Sequence, residues 1–124
     1  MSAPTYFPMS TNDKQLVWLH GEVKSPPFSL VARRETGLLL RLLQQGHDLV
    51  LPHARPMPRL GPRCHELRIN DHGRAWRILL RIDRRAILIL HVFDKKTPTT
   101  PHRVVDACKD RLRRYDMTAH LPRY

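Results

Sequence analysis

The sequence predicts an α+β domain in which three consecutive strands are preceded and followed by helices. From His65 to Phe93, apolar and polar residues alternate in segments joined by short turn signals, the pattern of an antiparallel meander. From about Phe28 to Gln45, and again after Pro101, apolar residues recur at three- and four-residue spacing. Between the first helix and the strands lies a stretch with four prolines, Pro52, Pro56, Pro58 and Pro62, in which no regular helix or central strand can persist. A chain of 124 residues accommodates one such domain.

Residues 1–13 are polar and contain proline, as expected of an N-terminal arm. Lys14–His20 is a short strand segment with β-prone Val17 and Trp18. Pro26 and Pro27 suit the start of the first helix. Val31, Glu35, Leu38, Leu39 and Leu42 form its expected stripe, and Gly46 is placed to end it. The segment from Leu49 to Arg63 is then a long structured loop. In the meander, His65–Asn70 puts Leu67 and Ile69 on one face and Glu66, Arg68 and Asn70 on the other. Asp71-His72-Gly73 is a turn. The next strand sets Trp76, Ile78, Leu80 and Ile82 against Arg77, Leu79 and Arg81, and Asp83-Arg84-Arg85 turns the chain again. Ala86–Phe93 is apolar on both faces except for His91, as befits a central, well-covered strand. Thr100 and Pro101 read as N-cap and first residue of a final helix, whose stripe is Val104, Val105, Cys108, Leu112 and Tyr115.

Charge narrows the function. The chain carries 22 Lys and Arg against 11 Asp and Glu, for a net charge of +11. Nearly all the excess lies after residue 51, where 17 basic side chains face seven acidic ones. Arginine outnumbers lysine 17 to five, and its planar guanidinium grips phosphate bidentately. A polyanion, most often nucleic acid, is the partner this balance favours; a basic surface kept for solubility or matched to an acidic protein also fits it. The longest apolar run, Ala86–Leu90, is far short of the roughly 20 residues of a membrane helix. Met1–Ser10 lacks a charged segment followed by an apolar one, so no membrane or secretory step is expected and the setting is cytoplasmic. Cys64 and Cys108 have no metal or redox spacing, and the eight histidines are scattered, so neither a metal nor a cofactor is expected.

The candidate chemistry lies on the sheet. Arg68, Arg77 and Arg81 occupy strand faces opposite their core-facing neighbours, and Lys95 and Lys96 follow the last strand. Arg55, Arg59 and Arg63 recur at four-residue intervals in the proline-rich loop, with His53 close by. RNA can be cleaved by such a set without metal. The 2′-hydroxyl must lose a proton, the phosphorane oxygens need positive charge, and the leaving 5′ oxygen needs a proton. Arg and Lys answer the second need, and histidine, here His91, is the natural proton carrier near neutral pH. The same residues also have plainer readings: the arginines as a solvated sheet face, His91 as a hydrogen-bonded core residue, and Trp18 and Trp76 as core.

Three segments carry a family resemblance: Arg55–Arg68 (RPMPRLGPRCHELR), Trp76–Ile78 with Arg81–Asp83, and the strand exit His91–Pro101 (HVFDKKTPTTP). Together with Cys108–Asp116 they resemble the phage-derived, HigB-like branch of the RelE/ParE toxin superfamily, over residues 14–116, leaving 117–124 as a tail. The resemblance implies a small twisted antiparallel sheet with helices packed on one face. It implies the toxin of a type II toxin–antitoxin module, a metal-independent, ribosome-dependent mRNA endonuclease that blocks translation. ParE-like relatives that inhibit gyrase, or an inactive nucleic-acid-binding member, are the alternatives it leaves. By this resemblance Arg68, Arg77, His91, Lys95 and Lys96 fall at catalytic places, with His53, Arg55, Arg59, Arg63 and Arg81 as RNA-binding candidates. The implied partners are the ribosome, mRNA and a cognate helix-turn-helix antitoxin. Two departures stand out: position 91 is His where close relatives carry Glu, and no Tyr lies near the strand exit.

Overall fold

A computed structural model describes residues 12–20 and 27–119. The expected arm, apart from Asn12 and Asp13, lies outside these residues, as do Pro26 and residues 120–124. The elements are β1 (Gln15–Trp18), α1 (Leu30–Gln44), β2 (Ala54–Pro56), β3 (Cys64–Asp71), β4 (Arg74–Ile82), β5 (Ala86–Asp94) and α2 (His102–Ala119). The strands form one sheet in the order β1-β5-β4-β3-β2.

The α+β class and the antiparallel β3–β4–β5 meander are as the sequence predicts. His72 and Gly73 both have positive φ, 48° and 84°, and with Asp71 opposite Arg74 they make the two-residue hairpin that such dihedrals favour. Three features differ from the expected all-antiparallel sheet with helices packed on one face, one of them being that α1 and α2 cover opposite faces. The sheet is mixed, because β1 pairs with β5 in parallel. The proline-rich loop also yields a strand, β2, which is three residues long and forms an edge, where proline is tolerated.

The helices use opposite faces, and β5 shows why. Ile87 and Ile89 pack in a core with Ala32, Leu39, Leu40 and Leu43 of α1 and with Leu67, Ile69, Ile78 and Leu80. Leu88 and Leu90 pack in a second core with Val104, Val105, Cys108 and Leu112 of α2, joined by Met57 and Leu60 from the loop. A strand apolar on both sides needs cover on both. Leu79 pairs with His91 and Leu80 with Ile89, so Leu90 is the extra residue of a β-bulge. Beyond the bulge the alternation is re-phased: Val92 joins the α1 core and Phe93 the α2 core.

The stripe of α1 is turned one residue from the expected one. Ala32, Thr36, Leu39, Leu40 and Leu43 are buried, whereas Val31 and Leu38 are exposed. The runs Leu38–Leu40 and Leu42–Leu43 offer two overlapping apolar phases, and the helix start selects between them. Ser29 is the N-cap: its hydroxyl accepts from Ala32 N at 3.1 Å, while its own N–H donates to Asp71 Oδ2 at 2.9 Å. Trp76 Nε1 donates to the same oxygen at 3.3 Å, and Phe28 packs edge-on against Trp76. Pro27 thus precedes the helix rather than opening it. At the other end Gly46, at φ 89°, allows a Schellman closure, with Gly46 N donating to Leu43 O and His47 N to Leu42 O. In α2 the capping carbonyl is that of Pro101, which accepts from Val104 N and Val105 N; the hydroxyl of buried Thr100 makes no hydrogen bond. Trp76 is core as expected, but Trp18, on edge strand β1, is 42% exposed.

Candidate functional site

Only part of the α2-side face of the sheet is covered by α2. The rest of that face is a cluster of cations around one buried carboxylate, in which the Arg77 and Lys95 side chains are also buried and Arg55 and Arg68 are partly exposed. Cross-strand register builds it: Arg55 of β2 lies opposite Glu66 of β3, and Arg68 lies opposite Arg77 of β4. Lys95 follows β5, with its N–H donating to Ala75 O at 2.8 Å.

Glu66 is fully buried. Arg55 Nε donates to its Oε1 at 3.1 Å, Arg77 Nε lies 3.6 Å from the same oxygen, and Lys95 Nζ reaches Oε2 at 3.4 Å. A carboxylate without solvent is tolerable only when paired in this way. Three cations (Arg55, Arg77 and Lys95) share this carboxylate, Arg68 lies opposite Arg77, and Asp94 adds one more negative charge near Arg77, so the cluster keeps an excess of positive charge.

Arg77 is where that excess is concentrated. It is 7% exposed, Nη1 donates to Trp76 O at 3.0 Å, and its buried Nε makes no hydrogen bond. Burial first, and then the Arg68 guanidinium across the strand pair, press its pKa below the usual arginine value. An arginine stays cationic even so. A bound anion would relieve both strains at once, and a phosphate oxygen is the acceptor that its orphaned donor and Arg68 together fit.

Of the five residues expected at catalytic places, the fold therefore brings Arg68, Arg77 and Lys95 together and adds Arg55 from the loop. His91 and Lys96 stand beside the cluster. His91 lies two strands from Glu66 in the same cross-strand row, with Leu79 between them. It stacks on His20 at 4.4 Å between ring centroids, and Arg111 Nη1 lies 3.1 Å from its Nδ1. Arginine only donates, so Nδ1 accepts and His91 is neutral. Burial, followed by the charges of His20 and Arg111, lowers its pKa to about 4. Lys96 is 82% exposed and lies 3.7 Å from Asp94.

The other basic candidates are spread out. His53 is exposed, and its carbonyl accepts from Arg68 N at 2.8 Å. Arg59 Nη1 donates to Thr100 O at 3.0 Å, tying the loop to the start of α2. Arg63 reaches Asp83 at 3.4 Å. Arg81 makes four hydrogen bonds to Asp83 and Asp116 at 2.7–3.0 Å, which clasp the β4–β5 turn to the end of α2. Sequence reasoning missed Glu66. The signal was present, since strand alternation already set it on the face of Arg68. Among the described residues no group of His, Cys, Asp and Glu could hold a metal, and no helix is long and apolar enough to cross a membrane.

Residues 27–113 match the family described as Phage derived protein Gp49-like (DUF891), a span that contains the whole cationic cluster. No curated protein and no solved structure matches the chain.

Proposed function

The chain belongs to the phage-derived Gp49-like family, a family associated with toxin–antitoxin toxins of the RelE/ParE-like kind, and on that premise we propose that it is a toxin acting as a ribosome-dependent mRNA endonuclease in the cytoplasm. The observation that carries this reading is the buried Arg77, with its unsatisfied Nε, beside Arg68 and Lys95. Positive charge fixed in advance on a partly desolvated surface is what a phosphorane requires, because it stabilises the developing negative charge without reorganisation.

In the proposed reaction the ribose 2′-hydroxyl gives up its proton to solvent water as its oxygen attacks phosphorus, and the bond to the 5′ oxygen breaks as that oxygen takes a proton from solvent. The products are a 2′,3′-cyclic phosphate, which hydrolyses to a 3′-phosphate, and a free 5′-hydroxyl. Arg68 and Arg77 hold the non-bridging oxygens, and Lys95 neutralises charge near the leaving oxygen. Arg55 extends the positive surface toward the loop edge. Glu66 acts as a positioning residue: its two oxygens hold Arg55, Arg77 and Lys95 on one side of the sheet. His91, neutral and shielded by Leu79 from Glu66, is not the proton carrier in this scheme, and Lys96 contributes only long-range charge.

The proposed partner that restrains this activity is an antitoxin of the helix-turn-helix class. The segment covering the cluster is expected to be acidic, because burying four cations against an apolar surface would leave them unpaired. The test of the function is single-turnover cleavage on programmed ribosomes. Arg68→Ala and Arg77→Ala should each cost about 100- to 1000-fold in rate. Full-rate cleavage by the double variant would remove the cluster from the reaction.

A further inference from the structure

We infer that the groove between the end of β5 and the first turns of α2 is a base pocket, which receives the nucleobase of the ribonucleotide whose phosphate sits on Arg68, Arg77 and Lys95. This rests on the RNA reading above and adds to it a subsite and a mode of recognition.

The register is the first observation. Arg68 lies opposite Arg77, and Arg77 lies opposite Phe93, so two guanidinium groups and an aromatic ring form one row across three strands. Neighbouring strands are about 4.8 Å apart, so the phosphate site and the ring are separated by the reach of a single nucleotide. The second observation lies along β5 from Phe93, in the neighbouring row. Phe93 lies 5.6 Å from His91, and His91 stacks on His20, giving three aromatic rings in series leading away from the cations.

The groove itself is the third. It holds about 530 Å³, within the roughly 300–1,000 Å³ of small-ligand sites. Phe93 and His91 form the strand wall, and Pro101, Val104 and Ala107 form the helix wall. Lys96 and Arg103, both exposed, stand at its rim together with Asp94, which lies 3.7 Å from Lys96, so the mouth carries a net positive charge while the walls are mainly apolar. That combination suits an unpaired base joined to an anionic backbone. Single-stranded RNA is commonly held by splaying a base onto an aromatic face, and this tolerates any base because each has a π-face. Its neutral state equips His91 for this role. The Arg111 N–H that occupies Nδ1 fixes the ring as part of the wall.

The test is an NMR titration of the full chain with adenosine monophosphate and with ribose phosphate, its base-free counterpart. Both ligands should shift the Arg68 and Arg77 side-chain resonances. Only the nucleotide should shift the rings of Phe93 and His91 and give contacts from base protons to Val104. It should bind about 5- to 150-fold more tightly than ribose phosphate, the range expected for stacking one base. Phe93→Leu keeps apolar volume without a π-face and should bring nucleotide affinity close to that of ribose phosphate. Equal affinity of the two ligands for the unaltered protein, or an undiminished advantage in Phe93→Leu, would overturn the pocket while leaving the phosphate site standing. Failure of both ligands to shift Arg68 and Arg77 would overturn the pocket and the RNA reading together.

Discussion

Glu66 and His91 exchange the importance that their residue types suggest. A histidine in a basic site invites a proton-transfer role, but its partners decide otherwise: His91 Nδ1 faces Arg111, its ring faces His20, and its pKa falls to about 4. The sign of the resulting pH dependence follows. The native state disfavours the imidazolium, so His91 contributes stability that is full above about pH 6.5, the unfolded value, and is lost as pH falls toward 4. His20, whose pKa is also lowered, chiefly by burial, adds in the same direction. The loss between pH 7 and 4.5 in urea unfolding should be smaller in His91→Phe than in the wild type by about 2 kcal/mol, taking 1.4 kcal/mol per pH unit and discounting for partial exposure. Glu66 has the opposite character: an acid among four basic groups is easily read as mere charge balance, yet it organises them. Glu66→Gln should lower stability by about 3 kcal/mol, because it leaves the cations to repel one another. It should also slow cleavage without changing the shape of the pH–rate profile. Loss of the acidic limb of that profile would instead make Glu66 the proton acceptor. The sequence held the cues for Arg68, Arg77 and Glu66, since alternation alone put them on one face. It held no local cue for the unsatisfied Nε of Arg77, which depends on how deeply three strands bury one side chain.

At the level of elements, the meander and both helices were legible because their signals are local: turn residues at Asp71–Gly73, alternation within strands, and Gly46 after a helical period. The parallel pairing of β1 with β5 was not, because it joins Gln15 to Ala86 without any turn chemistry between them. The two-faced packing of the helices departs from the single face expected, although Ala86–Leu90, apolar on both sides, carried a signal for two covers. The bulge at Leu90 was invisible, being fixed by the fit between β4 and β5. The Arg81 clasp is an element-scale device, since it joins the β4–β5 turn to the last turns of α2. Its acidic partners are partly exposed to solvent, Asp116 by 47%, which lowers its value. Arg81→Ala should therefore destabilise the fold by about 1–3 kcal/mol in denaturant unfolding. A loss of RNA cleavage in Arg81→Ala at unchanged stability would place this residue in the RNA contact instead.

Across the whole molecule, a charge of +11 attracts polyanions in general, and in the proposed function the cationic cluster directs that attraction to one place. Affinity for single-stranded RNA should fall steeply with salt. Removing one engaged cation, as in Arg68→Gln, should lessen the slope of log K against log salt by about 0.7. An unchanged slope would mean that Arg68 meets no phosphate. The fold joins a five-stranded sheet that holds the four cations, a helix packed beside them, and a groove next to the cluster. Whether this face cleaves RNA is decided by transcriptome-wide mapping of RNA ends after brief induction of the wild type and of Arg68→Ala/Arg77→Ala. New 5′-hydroxyl ends within translated messages, paired with cyclic or 3′-phosphate ends, are expected in the wild type and not in the double variant. Growth arrest with intact messages, or the same ends in both, would contradict cleavage by this face.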